Sequence, residues 1–290
     1  MAVKVITDST SCLPREQRAE LDIGVAGLTS LLDGATYDDD AVDYEPFFTA
    51  LEASSSMPTT SQPSVQDMVD LMEARVEARH DVVGVFISEK MSGTLSSAML
   101  AREMVLERHP GATIEVVDSR SNCMELGLAA RAAARAAADG AGVPEVVAAA
   151  EAMIERTRFL FVPDTLEYLR RGGRIGGASA LIGALLQVRP ILTVADGQTD
   201  VFAKVRTTRR ALDTIIETVK ADGGEKGGLA DVVVHHIHAE EDGRALALRM
   251  AEVLGRDVDV CAIGPVIGAH VGPGALGVVY HTNEPMRKSG

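Results

Sequence analysis

"VVGVFISEKMSGTLSSAMLAREMVLER", Val82 to Arg108, is the stretch on which the reading of the fold turns. Val82 to Ser88 is an unbroken apolar run, the pattern of a strand buried on both faces. A polar turn follows, and apolar residues then recur at helical spacing to Arg108. The same unit of strand, polar turn and helix precedes it, with Val3 to Thr7 entering "DSTSCLP". It recurs after it, with "TIEVVDSRSN", whose turn Asp118-Ser119-Arg120-Ser121 echoes Asp8-Ser9-Thr10-Ser11. Two Ala-rich helical segments separated by "GAGVPE" come next. Such alternation predicts an α/β protein whose N-terminal domain is a parallel sheet covered on both faces.

After Arg158 the pattern shifts. "FLFVP" is a short strand and "DTLEYLRRGG" a compact helix, with Asp164 as its expected cap, Glu167 completing the box and Gly172 closing it. "PILTVADGQTDVFAKVR" predicts a hairpin turning on Asp196-Gly197. A helix from about Thr207, the strand "DVVVHH", a helix from about Ala239, and the strands "DVDVCAI" and "ALGVVYH" complete a mixed-sheet α/β domain. The expected division is 1–157 and 158–290, cut near Arg156 to Phe159. Between the first two N-terminal strands, the Ser/Thr/Pro-rich end of residues 37–64 reads as a surface loop, flexible or ligand-binding.

Composition narrows the function classes. Aromatic residues are 3%, tryptophan is absent and the net charge is −14, so base stacking and phosphate-backbone binding lose their basis. The three cysteines are far apart and fit no metal or redox spacing, which suits a reducing, cytoplasmic setting. The N-terminus carries no signal-peptide core. Val260 to Tyr280 lacks Asp, Glu, Lys and Arg, but its glycines and prolines exclude a lipid-exposed helix. No dinucleotide or P-loop motif follows a strand, so no cofactor is expected.

Three places carry candidate chemistry. Ser92, Gly93 and Thr94 follow a strand at a helix start, where free N–H groups and two hydroxyls suit an anion, or where a hydroxyl simply caps the helix. "TTSQPS" adds neutral donors at Thr60, Ser61, Gln62 and Ser64. "IGPVIGAHVGPGALGVVY", Ile263 to Tyr280, reads as a glycine-rich loop with one ionisable side chain, His270. In "HHIH" a strand would turn His236 and His238 to one face and His235 to the other, so a zinc site is not expected and no metal is assigned. Ser92 with His270 as nucleophile and base is the enzymatic alternative, although no G-x-S-x-G surrounds Ser92.

Taken in order, "VITDSTSCLP", "YDDD", "TTSQPS", "SGTLSSA", "VDSRS", "LEYLRRGGRIGG", "VRPILTVADG", "KVRTTRRA" and "GPVIGAHVGPGALG" resemble the DegV family of bacterial fatty-acid-binding proteins over nearly the whole chain. That resemblance implies the two-domain DegV-like (EDD) fold and one long-chain fatty acid held in a tunnel between or beneath the domains. It implies that Thr60, Ser61, Ser92, Gly93, Thr94 and His270 hold the carboxylate. It further implies a non-catalytic subunit that presents the carboxylate to a separate ATP-dependent fatty acid kinase, giving an acyl-phosphate for phospholipid synthesis. Arg174 and Arg206 fall where the family has basic residues, for kinase docking or phosphate contact. The alternatives are a serine-dependent lipid or thioester hydrolase, or a carrier of another anionic lipid. The residues agree with a lipid: burying about fourteen methylenes at ~0.8 kcal/mol each offers on the order of 11 kcal/mol before ordering costs. "ASALIGALLQV", Ala178 to Val188, is small-residue-rich enough for a helix flanking a narrow channel, or for ordinary core.

Overall fold

The computed structural model describes residues 1–181 and 188–286. In chain order the first elements are β1 (Val3–Asp8), α1 (Arg15–Glu20), β2 (Gly24–Ala26), β3 (Thr29–Leu32), β4 (Ala35–Asp38), α2 (Glu45–Ala53) and β5 (Thr59–Ser61). Next come α3 (Val65–Glu77), β6 (Asp81–Phe86), α4 (Thr94–Arg108), β7 (Ile114–Asp118), α5 (Cys123–Ala138), α6 (Val143–Arg156), β8 (Thr157–Val162) and α7 (Glu167–Arg171). The chain continues through β9 (Arg189–Ala195), β10 (Gln198–Val205), α8 (Thr208–Glu225), β11 (Leu229–His236), α9 (Glu240–Leu254), β12 (Asp259–Ala262), α10 (Pro265–Val271) and β13 (Leu276–Thr282). It divides into two compact units: Met1–Thr29, Asp38–Asp40 and Thr60–Ile154 in the first, Ser30–Tyr37, Ala41–Thr59 and Glu155–Gly290 in the second.

The first unit is built on an all-parallel sheet of order β2-β1-β6-β7. Ile6, Val82, Phe86 and Ile114 pack on Met68, Val69 and Met72 of α3 and on Ala98, Ala101 and Val105 of α4. Gly84 makes room on that face, since a Cβ there would lie 2.4 Å from the Phe86 ring. Alternation turns Val83 and Val85 to the opposite face, and α5 packs against β1 and β6. Helices on both faces are what lets the central strand β6 run apolar from Val82 to Phe86.

The second unit carries a mixed sheet of order β10-β9-β8-β13-β11-β12, antiparallel except for the β11–β12 pair. Leu160, Val162, Ile191, Val232, Val234, Val278 and Tyr280 form a core with Ala211, Ile215 and Val219 of α8 and Leu246 and Met250 of α9. The β9–β10 hairpin turns on Asp196 (φ 47°) and Gly197 (φ 80°), the two left-handed positions that Asp-Gly announces. A three-stranded sheet of order β4-β3-β5 completes the strands.

Five local expectations are corrected. The Ser/Thr/Pro-rich end of residues 37–64 is not all loop, because β5 forms within it. Asp164 does not cap α7: Thr165 Oγ1 accepts the Glu167 N–H at 3.2 Å, while Asp164 is exposed and 3.6 Å from Arg189. His238 leaves the β11 strand with φ 47°, so it does not share a face with His236. The glycine-rich stretch before the expected strand "ALGVVYH" is not all loop, because Pro265–Val271 form the helix α10, while the strand itself is present as β13. Of the expected helix over Ala178 to Val188, the portion to Leu181 is a 3-10 turn, and 182–187 lies outside the described residues.

Candidate ligand-binding site

In the first unit the chain leaves β1 toward β2 on one side and returns to β6 on the other. That reversal between β1 and β6 is a topological switch point, where the loops after adjacent strands diverge and leave a crevice at the strands' carboxyl ends. The loop after β1 is held by Asp8. Its Oδ1 accepts the Thr10 N–H at 3.0 Å and the Thr10 hydroxyl at 2.5 Å. Its Oδ2 reaches across to the Ile87 N–H at 2.8 Å, tying the two loops together. Asp8 is fully buried, and burial pushes its carboxyl up to about 6 against the opposing pull of these three hydrogen bonds. The Ser9 hydroxyl donates to Asp39 at 2.8 Å and Arg18 reaches Asp40 at 2.8 Å, so "YDDD" pins the same loop.

The loop after β6 ends on the start of α4. Ser88 donates its N–H to the Ser121 carbonyl at 2.9 Å, and its own carbonyl accepts the N–H groups of Met91 at 3.0 Å and Ser92 at 3.1 Å. Gly93 is the N-cap and has no side chain to satisfy the first turn. The hydroxyls of Ser92 and Thr94 lie 2.9 Å apart, and the Thr94 N–H reaches Ser92 Oγ at 3.3 Å. Two hydroxyls and the orphan N–H groups of a fifteen-residue helix, whose dipole is positive here, make a neutral-donor set for an anion. Of the "TTSQPS" donors, Thr60 is partly buried and Ser61 exposed on β5. Ser64 is spent as the α3 cap, its Oγ accepting the Asp67 N–H at 3.1 Å, and the Gln62 amide donates to Ser97 Oγ at 2.8 Å. The last two are therefore helix contacts and not free donors for a ligand.

In the second unit His270 sits in the last turn of α10. Pro265 opens that helix, and Gly272 (φ 87°) and Gly274 (φ 82°) turn the chain into β13. α7 packs against α10 so closely that a Cβ on Gly172 would lie 2.4 Å from His270 Nδ1, and one on Gly272 2.3 Å from the Tyr168 ring. Gly268 gives the same clearance to the Phe48 ring of α2. Burial pushes the His270 imidazole down to about 4, and Arg174 pushes the same way while donating to the Gly172 carbonyl at 2.6 Å. His270 is thus a neutral imidazole at neutral pH. Arg206 is exposed between β10 and α8.

The histidines of "HHIH" have structural partners: His235 Nδ1 lies 3.3 Å from the Cys261 carbonyl, and His236 Nδ1 accepts the Ala239 N–H at 3.3 Å. His238 stacks on Phe48 and faces Glu45 at 3.6 Å and Glu52 at 3.5 Å. Among the described residues no group of three or more His, Cys, Asp or Glu is placed to hold a metal, and no helix is long and apolar enough to cross a membrane. Sequence reasoning missed the burial of Asp8 and the contact of Gly172 with His270. The first had a signal in the acidic residue that closes an apolar strand, the second none.

An open parallel sheet with a donor-lined switch point, followed by a mixed sheet with helices, defines a two-unit α/β protein. The chain belongs to the DegV family, matching the family described as "Uncharacterised protein, DegV family" over residues 2–283. A DegV domain-containing protein of Clostridium acetobutylicum is 46% identical over 99% of this chain and 100% of that protein. A solved DegV family protein from Thermus thermophilus, described for its fatty acid binding, superposes with a TM-score of 0.86 at 31% identity, covering 97% of this chain and all of that one. A stearic-acid-binding protein from Eubacterium ventriosum gives a TM-score of 0.86 at 27% identity, covering 96% of this chain and 98% of that one.

Proposed function

We propose that this protein binds one long-chain fatty acid and presents its carboxylate to a separate ATP-dependent kinase, which releases an acyl-phosphate for phospholipid synthesis. The observation that carries the binding half is full-length similarity, at 31% identity, to a protein described by its fatty acid binding. The chemistry of the donors supports it. Ser92, Thr94 and the α4 N–H groups offer hydrogen bonds without a metal, and His270, neutral before the ligand binds, adds a donor that a bound carboxylate can bring to its protonated form. In this reading Thr60, Ser61, Ser92, Gly93, Thr94 and His270 hold the head group, and Arg174 and Arg206 meet the kinase or its phosphate. The protein itself is non-catalytic and works in the cytoplasm.

The test is mass spectrometry of a solvent extract of the purified protein, followed by stearate titration of the delipidated protein. Stoichiometric fatty acid and saturable uptake support the carrier. Trace lipid with no uptake overturns it, and acyl-ester turnover abolished by Ser92→Ala would establish the hydrolase instead. Acyl-phosphate formed only when kinase, ATP and loaded carrier are combined tests the second half.

A further inference from the structure

We infer that Gln62 is a positioning residue: its amide latches the Thr60-Ser61 segment onto the first turn of α4, and Gly93 is glycine to receive it. The inference rests on the carboxylate reading above. Gln62 follows β5 directly and precedes the α3 cap, so it is the joint through which Thr60 and Ser61 are held. Its Nε2 donates to Ser97 Oγ at 2.8 Å, one turn into α4. Its Oε1 lies over Gly93, where a Cβ would come within 2.2 Å of that oxygen and 2.9 Å of Cδ.

The backbone of Gly93 shows which use of glycine applies. Its φ of −74° and ψ of 3° suit any residue, so it is not glycine for a left-handed turn. Clearance is the remaining reason, and the three atoms nearest to such a Cβ all belong to the Gln62 amide. Gln62 is itself exposed, so its amide adds little to the core. What it does is tie the segment that carries Thr60 and Ser61 to the turn that carries Ser92 and Thr94, all within the first unit. An anion that needs both pairs meets them already arranged, and the ordering cost is met in folding rather than on binding.

The experiment is a double-mutant cycle on delipidated protein with stearate as probe. Gln62→Ala is expected to weaken binding by roughly fivefold, the scale of one net hydrogen bond, with the thermal midpoint nearly unchanged. Gly93→Ala pushes the amide aside and is expected to match it, and Gln62→Ala/Gly93→Ala to be no weaker than either alone. Effects that multiply in the double variant would mean that Gly93 is glycine for the ligand's sake and would overturn the latch, as would an unchanged Kd in Gln62→Ala. Hydrogen exchange of residues 59–61 in ligand-free protein reads the latch independently of any lipid. Faster exchange in both single variants supports it, and unchanged exchange overturns it even if the wild type takes up no stearate and the carrier reading falls.

Discussion

Asp8 and His270 are displaced in opposite directions by the same cause, burial of the charged form. For Asp8 the folded value of about 6 lies above the ordinary 3.8, so the stability it contributes is complete below 3.8 and is lost as pH rises through 6. At about 1.4 kcal/mol per unit this group removes about 3 kcal/mol across that window. Asp8→Asn carries no charge and keeps one acceptor oxygen, enough for the Thr10 or the Ile87 N–H but not for both. Urea unfolding at pH 4.5 and 7.5 should therefore differ less in the variant than in the wild type. His270 has the opposite sign: its contribution is complete above 6.5 and is lost as pH falls through about 4. A carboxylate bound beside this imidazole favours its protonated form, so binding takes up a proton and weakens as pH rises. His270→Ala should abolish that slope in stearate titrations between pH 6 and 8, while leaving the thermal midpoint within a few degrees.

At the scale of elements, α7 and α10 act as one support for His270, and Gly172 is where they touch. A Cβ at Gly172 meets His270 Nδ1 at 2.4 Å and the Tyr168 carbonyl at 3.0 Å, and the second of these is backbone that cannot swing away. Gly172→Ala should turn the imidazole and weaken stearate binding by roughly tenfold, for a stability loss of about 1 kcal/mol. Strands, the Asp196-Gly197 hairpin and the α4 start were legible in the sequence because local spacing and turn chemistry decide them. α10 was not, since seven residues with Gly268 among them are too few to show a helical period, and so short a helix is stabilised by packing rather than propensity. The Asp164 box failed for a related reason: the motif was present, but Thr165, one residue on, was nearer the first free N–H. The site was half legible. Ser92 to Thr94 and His270 stand out by type and position, whereas Gln62 and Gly172 gain their roles only from neighbours distant in sequence.

At the scale of the whole molecule, the chain passes from one unit to the other after residues 29, 37, 40, 59 and 154. Sequence pattern shows a single change of character near residue 157. It does not show the earlier passages, because membership of Ala41–Thr59 is decided by contacts such as Phe48 with Gly268. A fragment of residues 1–157 should therefore protect the amides of β1 and β6 in hydrogen exchange and leave those of α2 unprotected, whereas the full chain protects both. The same connectivity bears on birth at the ribosome. Phe47, Phe48 and Leu51 of α2 are buried in the finished protein, yet Gly268, against which Phe48 closes, is synthesised 220 residues later. At ordinary elongation rates of about 5–20 residues per second, that apolar face waits for roughly ten to forty seconds. The first sheet is complete once β7 has emerged, and for the rest of translation the apolar face of α2 stands uncovered, open to whatever else in the cell binds such faces.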